Sequence, residues 1–172
     1  MLLTALLCHA FTARGDASPW LVAPIGASAV LVFTAPASPF AHPWAVVAGN
    51  TLSALAGIAC VQLFGNAPWV AALAVSLAIA VMFATRSLHP PGGACALLVA
   101  LGGMADAHFA LHPVLVNSLL LVIVGIVYNR ATARPYPQRA APPKVDDTRR
   151  RSFTDADLDA VLARYNQVLD VS

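Results

Sequence analysis

Apolar stretches fill the chain at about residues 1–13, 20–35, 44–64, 68–85, 90–105 and 112–129, with Pro-, Gly- or polar-rich breaks between them. The breaks run from Ala13 to Pro19, from Ala35 to Pro39, from Gly65 to Pro68 and from His108 to Pro113. No alternation of apolar and polar positions marks barrel strands, so the stretches predict helices. Those at 44–64, 68–85 and 112–129 are long enough to cross a bilayer whose hydrocarbon is ~30 Å thick. Those at 20–35 and 90–105 reach only about 24 Å and are flanked by proline, which predicts tilted, broken or re-entrant helices. The first stretch lacks the basic start of a signal peptide and is too short to cross, so it reads as a span without its N-terminal part. The predicted fold is all-α, a polytopic transmembrane bundle of four to six segments over residues 1–130.

Composition agrees with a lipid solvent. The chain is 59% hydrophobic and 10% charged, against roughly 25% charged in a soluble domain. From Ala17 to Asn129 the only formal charges are Arg86 and Asp106. Seven of the ten basic residues lie between Arg130 and Arg151, which predicts a cytoplasmic C-terminus by the positive-inside rule. Aromatics do not interleave with this run, so no nucleic-acid partner is expected. Cys8, Cys60 and Cys95 form no CxxC or His/Cys cluster, so neither metal nor cofactor is expected. Trp20, Trp44 and Trp69 each open an apolar segment and read as interfacial anchors.

Residues 131–152 read as a basic, Pro-containing linker. Residues 153–172 carry an apolar stripe of Leu158, Val161, Leu162, Tyr165, Val168 and Leu169, an amphipathic helix that needs a docking partner, another copy of the chain or a further domain.

The two short stretches repeat one another. Pro24-Ile25-Gly26-Ala27-Ser28-Ala29-Val30-Leu31-Val32 overlies Pro91-Gly92-Gly93-Ala94-Cys95-Ala96-Leu97-Leu98-Val99 at an offset of 67, with six of nine positions identical. Asn50-Thr51-Leu52 and Asn117-Ser118-Leu119 match at the same offset. Short, Pro/Gly-interrupted segments at matching places in two halves point to a transporter's binding site. Three crossings per half make the repeats inverted and put Arg86 on the cytoplasmic side. Re-entrant short segments make them parallel and put Arg86 outside.

Leu88-His89-Pro90-Pro91-Gly92-Gly93-Ala94 predicts an extended His89 and a helix starting near Pro91. The first N–H groups of such a helix are free and carry roughly half a positive charge, a setting for an anion. Arg86 and His89 add to that field, with Gly92, Gly93 and Ala94 allowing close approach. Pro24, Gly26, Ala27 and Ser28 supply a second helix start. Asn50 and Asn117, matching amides inside apolar helices, are expected to line the cavity or to bond between helices. Each residue also has a plainer reading. Arg86 can snorkel to the interface, Pro90-Pro91 can be a tight connection, and the glycines can be packing surface.

The run Leu88 to Ala94, with Pro19 to Val30 and Ala35 to Pro39, resembles the HPP family of integral membrane proteins over about residues 14–137. The resemblance implies four transmembrane helices, a number that fits the re-entrant count, and a transport-related function, with plant plastid members associated with nitrite transport. Bacterial relatives often continue into paired CBS domains, and Phe153 to Ser172 is similar to the helix that leads into them. The expectation is therefore a non-enzymatic channel or secondary transporter for a small inorganic ion, an anion such as nitrite, in a bacterial inner membrane. His89, which titrates near neutral pH, is the candidate for a coupled proton. The alternative is a membrane anchor or sensor that positions a cytoplasmic regulatory domain. Association into homo-oligomers fits so small a bundle.

Overall fold

The computed structural model describes residues 22–137 and 155–164, and all regular structure among them is helical. Five helices form the first unit: α1 (Ala23–Thr34), α2 (Pro43–Phe64), α3 (Pro68–Ala84), α4 (Pro90–Leu101) and α5 (Val116–Ala131). A 3₁₀ turn, Pro39–Ala41, precedes α2, and a π-helical stretch, Ala110–Leu115, leads into α5 across a kink at His112. Proline within the first two positions starts α1, α2, α3 and α4, where a missing N–H costs nothing and φ is already helical. A separate unit holds α6 (Asp155–Arg164), on which Leu158 and Val161 are about half exposed. The expected first span, Trp20, Cys8, most of the linker and the stripe beyond Arg164 lie outside the described residues.

The repeat reappears in the element boundaries. The short helix α1 and the short helix α4 begin and end 67 residues apart, as do Pro43–Phe64 and Ala110–Ala131. The counterpart of α3 at that offset, residues 1–17, lies outside the described residues.

Contacts fix the helix directions. Gly49 meets His89, Gly57 meets Val99 and Gln62 Nε2 donates to Ala105 O, so α4 runs alongside α2 in the same sense. Trp44 Nε1 donates to Thr85 O at 3.1 Å, which joins the start of α2 to the end of α3. At the end of α5, Asn129 Nδ2 donates to Val32 O at 3.1 Å, and Tyr136 OH, beyond it, donates to Ala41 O at 2.9 Å. The end of α5 therefore lies beside the end of α1 and the start of α2. Helices α1 to α5 alternate in direction, α1 opposes its mate α4, and α2 opposes its mate beginning at Ala110.

The repeats are thus inverted, and the parallel arrangement that accompanies re-entrant segments is excluded by these directions. Arg86 consequently lies toward the same end as Arg130 and Arg134, and Asp106 lies toward the other. Trp44 and Trp69 are exposed at opposite ends.

The outer surface is apolar all round. Val30, Leu63, Phe83, Leu101, Ile123 and Val127 are all more than half exposed, a pattern that suits lipid and not water. At ~1.5 Å per residue, α2 and the Ala110–Ala131 stretch reach about 33 Å, enough to cross, whereas α1 and α4 reach about 18 Å. The non-helical backbone of Ser87 to His89 ahead of α4 is tolerated because α2 covers it. Both side chains are fully buried, and Gly49 makes room where a Cβ would come within 2.6 Å of His89 Cβ and 2.7 Å of Ser87 O.

Candidate functional site

Gly92 draws α4 onto α2, since a Cβ there would lie 2.8 Å from both Gly49 O and Ser53 Oγ. Beside this contact α1 passes close to His89, and a buried polar cluster fills the crossing. His89 Nε2 lies 2.7 Å from Ser28 Oγ, and His89 Nδ1 lies 2.7 Å from Phe40 O. A carbonyl only accepts, so Nδ1 carries a hydrogen and donates it. Asn50 Nδ2 donates to Ser28 Oγ at 3.1 Å and to Ser118 Oγ at 3.3 Å, and Cys95 Sγ donates to Asn50 Oδ1 at 3.5 Å. Ser28, Asn50, His89 and Ser118 are wholly buried. One amide thereby joins α1, α4 and α5 to α2.

The cluster sits near mid-depth. From Asn50 to Phe64 α2 extends ~21 Å one way, and from Ser118 to Ala131 α5 extends ~20 Å the other. The two short helices pass each other here in opposite senses, overlapping through their first two turns, so their positive N-terminal ends flank the cluster. Ser28 and Cys95 are repeat mates, and both hold Asn50, each in the second turn of its helix.

Two hydroxyls on α2, those of Thr51 and Ser53, have no hydrogen-bond partner although their oxygens are buried. Thr51 is the repeat mate of Ser118, whose hydroxyl is engaged by Asn50. Ser53 stands one turn beyond Asn50, against Gly92. Such orphans in an apolar medium call for a polar partner.

Arg86 is not in the cluster. It is exposed on the rim of a groove of about 240 Å³ lined by Pro39, Phe40, Ala45, Met82, Phe83 and Leu88. Phe40 and Leu88 connect the groove to the cluster, because one supplies the carbonyl that holds the imidazole and the other precedes His89. Arg86 closes α3 with φ +52°, between Thr85 N–H→Val81 O and Ser87 N–H→Met82 O at 2.9 Å each. This is the C-terminal cap position that glycine normally fills, and an arginine there costs roughly 1–2 kcal/mol.

The remaining sequence candidates divide by helix face. Pro24, Pro91 and Gly92 are buried, and Asn117 is buried on α5 beside Ser118. Gly93 and Ala94 turn outward with Pro90 and Leu97 into an apolar groove of about 470 Å³ against α3. Gly26 has nothing within 4 Å of its Cβ position, and Ala27 is exposed. Successive residues on a helix stand about 100° apart, so Gly92 and Gly93 cannot share a face. The N–H of Gly92, expected to be free, donates to His89 O at 2.8 Å, and Pro90 and Pro91 have none to offer.

Three members of the cluster were not among the expected site residues. Ser118 and Cys95 could have been found from the repeat, because they stand at the positions of Thr51 and Ser28. Phe40 acts through its backbone, which leaves no side-chain signal. Among the described residues no three His, Cys, Asp or Glu side chains gather as metal ligands.

Comparison with known proteins decides the family. Residues 1–137 match the HPP transmembrane region. The chain belongs to the HPP transmembrane family. Two relatives from Dictyostelium discoideum, both named transmembrane proteins, are 39% identical over 125 residues and 37% identical over 145 residues. These alignments cover 68% and 80% of this chain but 44% and 46% of the relatives, so it spans less than half their length. No solved structure matches this HPP chain.

Around the cluster, the end of α5 and the segment after it strap α1 and the 3₁₀ turn. Arg134 Nη1 donates to Phe33 O at 3.2 Å, and Tyr136 OH reaches Ala41 O, next to the Phe40 that holds His89. Burial pushes the Tyr136 phenol up to about 12, so it stays a neutral donor.

Proposed function

We propose that this HPP protein carries a small inorganic anion of nitrite's class across its membrane, as a channel or secondary transporter and without a catalytic step. One observation carries the reading: two oppositely directed short helices pass each other with their first turns flanking a buried cluster, Ser28, His89, Asn50, Cys95 and Ser118, between inverted repeats. That is the arrangement in which discontinuous helices present positive ends to a substrate near the bilayer midplane. The unpartnered hydroxyl of Ser53, one turn beyond Asn50 and against Gly92, adds a polar group free to bond a guest, and Arg86 on the groove rim attracts negative charge toward it.

We read the end that carries Arg86, Arg130 and Arg134 as the cytoplasmic side of a bacterial inner membrane, a reading that the positive-inside rule supports. Impermeant maleimide on single-cysteine variants at positions 86, 106 and 134 in oriented vesicles tests this. Positions 86 and 134 should label from one side and 106 from the other.

The transport test is uptake of nitrite, nitrate and chloride into proteoliposomes by wild type and Arg86→Gln. The wild type should take up at least one of these anions, and the variant should lose most of that flux while remaining folded. Equal flux in the two removes Arg86 from the path. No flux of any anion in folded, inserted protein favours the second reading, a membrane anchor that positions a cytoplasmic domain. The strap from Tyr136 to Ala41 supports that reading, because it couples the segment after α5 to the core.

A further inference from the structure

We propose that His89 and Ser28 form a proton-carrying site in which the Ser28 hydroxyl turns between two acceptors as the imidazole gains or loses a proton. Resting on the transport reading, it makes the carrier an anion–proton symporter.

The hydrogen-bond inventory supports both protonation states. Nδ1 faces the Phe40 carbonyl and holds its proton throughout, so the second proton is gained or lost at Nε2. Ser28 Oγ has two acceptors in reach, His89 Nε2 at 2.7 Å and Pro24 O at 3.2 Å, and it receives Asn50 Nδ2 at 3.1 Å. With a neutral ring, the Ser28 hydroxyl donates to Nε2. With a charged ring, Nε2–H donates to Ser28 Oγ and the hydroxyl turns to Pro24 O, while Asn50 keeps its bond. Serine oxygen accepts two bonds and donates one, so neither state strands a donor. The proton enters and leaves at Nε2, and no other bond is made or broken.

The surroundings couple that proton to an anion. Among the titratable and charged groups on the neighbouring elements, Cys95 on α4 turns its thiol to Asn50, and His42 ahead of α2 engages Trp44 N–H through Nδ1. Arg86, after α3, is exposed on the groove. Cys60 of α2 packs in a separate apolar cluster, Tyr128 and Arg130 lie at the end of α5, and α1 has no titratable side chain. None of these groups supplies a carboxylate to offset an imidazolium, and both flanking helix starts are positive. A charged His89 is therefore disfavoured alone and favoured with an anion in the cluster, and the linkage is reciprocal.

The test uses the full chain in lipid bilayers with ¹⁵N-labelled histidine and reads the two ring nitrogens of His89 by NMR across about pH 3 to 8. Nδ1 should stay protonated, Nε2 should pass reversibly from bare to protonated, and nitrite should move that passage to higher pH. Ser28→Ala should abolish the nitrite response, and Ser28→Thr, which keeps the hydroxyl, should restore it. An Nε2 that never titrates, or titrates without regard to nitrite, nitrate or chloride, overturns the proposal. Proteoliposome flux separates this from the transport reading. Flux that an inward proton gradient accelerates severalfold in wild type, and not in His89→Gln, supports the coupling. Flux indifferent to the gradient overturns the coupling and leaves transport standing, whereas titration without any flux keeps the proton site and overturns transport.

Discussion

The two halves of the bundle share a backbone plan and differ in chemistry. The short helices begin and end at matching positions, yet the residue ahead of α1 is Val22 and the residue ahead of α4 is His89. Ser28 in the first half answers to Cys95 in the second, and Gly49 on α2 answers to Val116 at the start of α5. In the second half the backbone of Ser87 to His89 is pressed against a long helix through Gly49. The repeat thus supplies the symmetric frame, and the departures from it place one imidazole and one serine face to face. An inverted duplication fixes where two helix starts meet, and substitutions in one copy decide what they meet around.

The sharpest break of that comparison is at the glycines. Gly49→Ala puts a Cβ against His89 Cβ and Ser87 O, at 2.6 and 2.7 Å, and should cost about 1–3 kcal/mol or prevent folding. Gly26→Ala, with nothing within 4 Å, should stay within about 0.5 kcal/mol of wild type. Thermal unfolding in detergent compares the two, and equal losses would contradict the close approach at Gly49.

Next comes His89→Val, which copies the first half into the second. It strands Phe40 O and removes a partner of Ser28, and should cost about 1–3 kcal/mol while leaving the helix content by circular dichroism unchanged.

Arg86 sharpens the contrast between structure and function. Arg86→Gly relaxes a positive φ of 52° and should raise stability by about 1 kcal/mol, yet anion uptake should fall. A variant that gains stability and keeps full uptake would reduce Arg86 to an interfacial residue.

The smallest effect is expected at Tyr136→Phe, which removes the bond to Ala41 O for about 0.5–1.5 kcal/mol. Burial raises the phenol from 10.0 to about 12. Its contribution is therefore intact below pH 10 and lost as pH rises through 12, a loss that the Phe variant should not show.

Much of this fold was legible in the sequence for a physical reason. Each half must start a short helix and pack it closely against its surroundings, so Pro24 and Pro91, and small residues such as Ala29 and Ala96, recur at one offset. Helix direction was not legible, because apolar periodicity is the same read either way along the membrane normal. Helix phase was not legible either. α1 and α4 are largely apolar, so no polar face told Gly92, against α2, from Gly93, in the groove against α3. His89, Ser28 and Asn50 stood out as polar residues in apolar runs, and the cluster does gather them. Arg86 stood out for the same reason, but its charge keeps it at the groove rim.

The most direct test of the central claim, that the asymmetric cluster between inverted repeats is the ion path, is nitrite uptake into proteoliposomes by wild type beside His89→Val. The account predicts uptake by the wild type and none above empty liposomes by a folded, inserted variant. Wild-type uptake by that variant would contradict it.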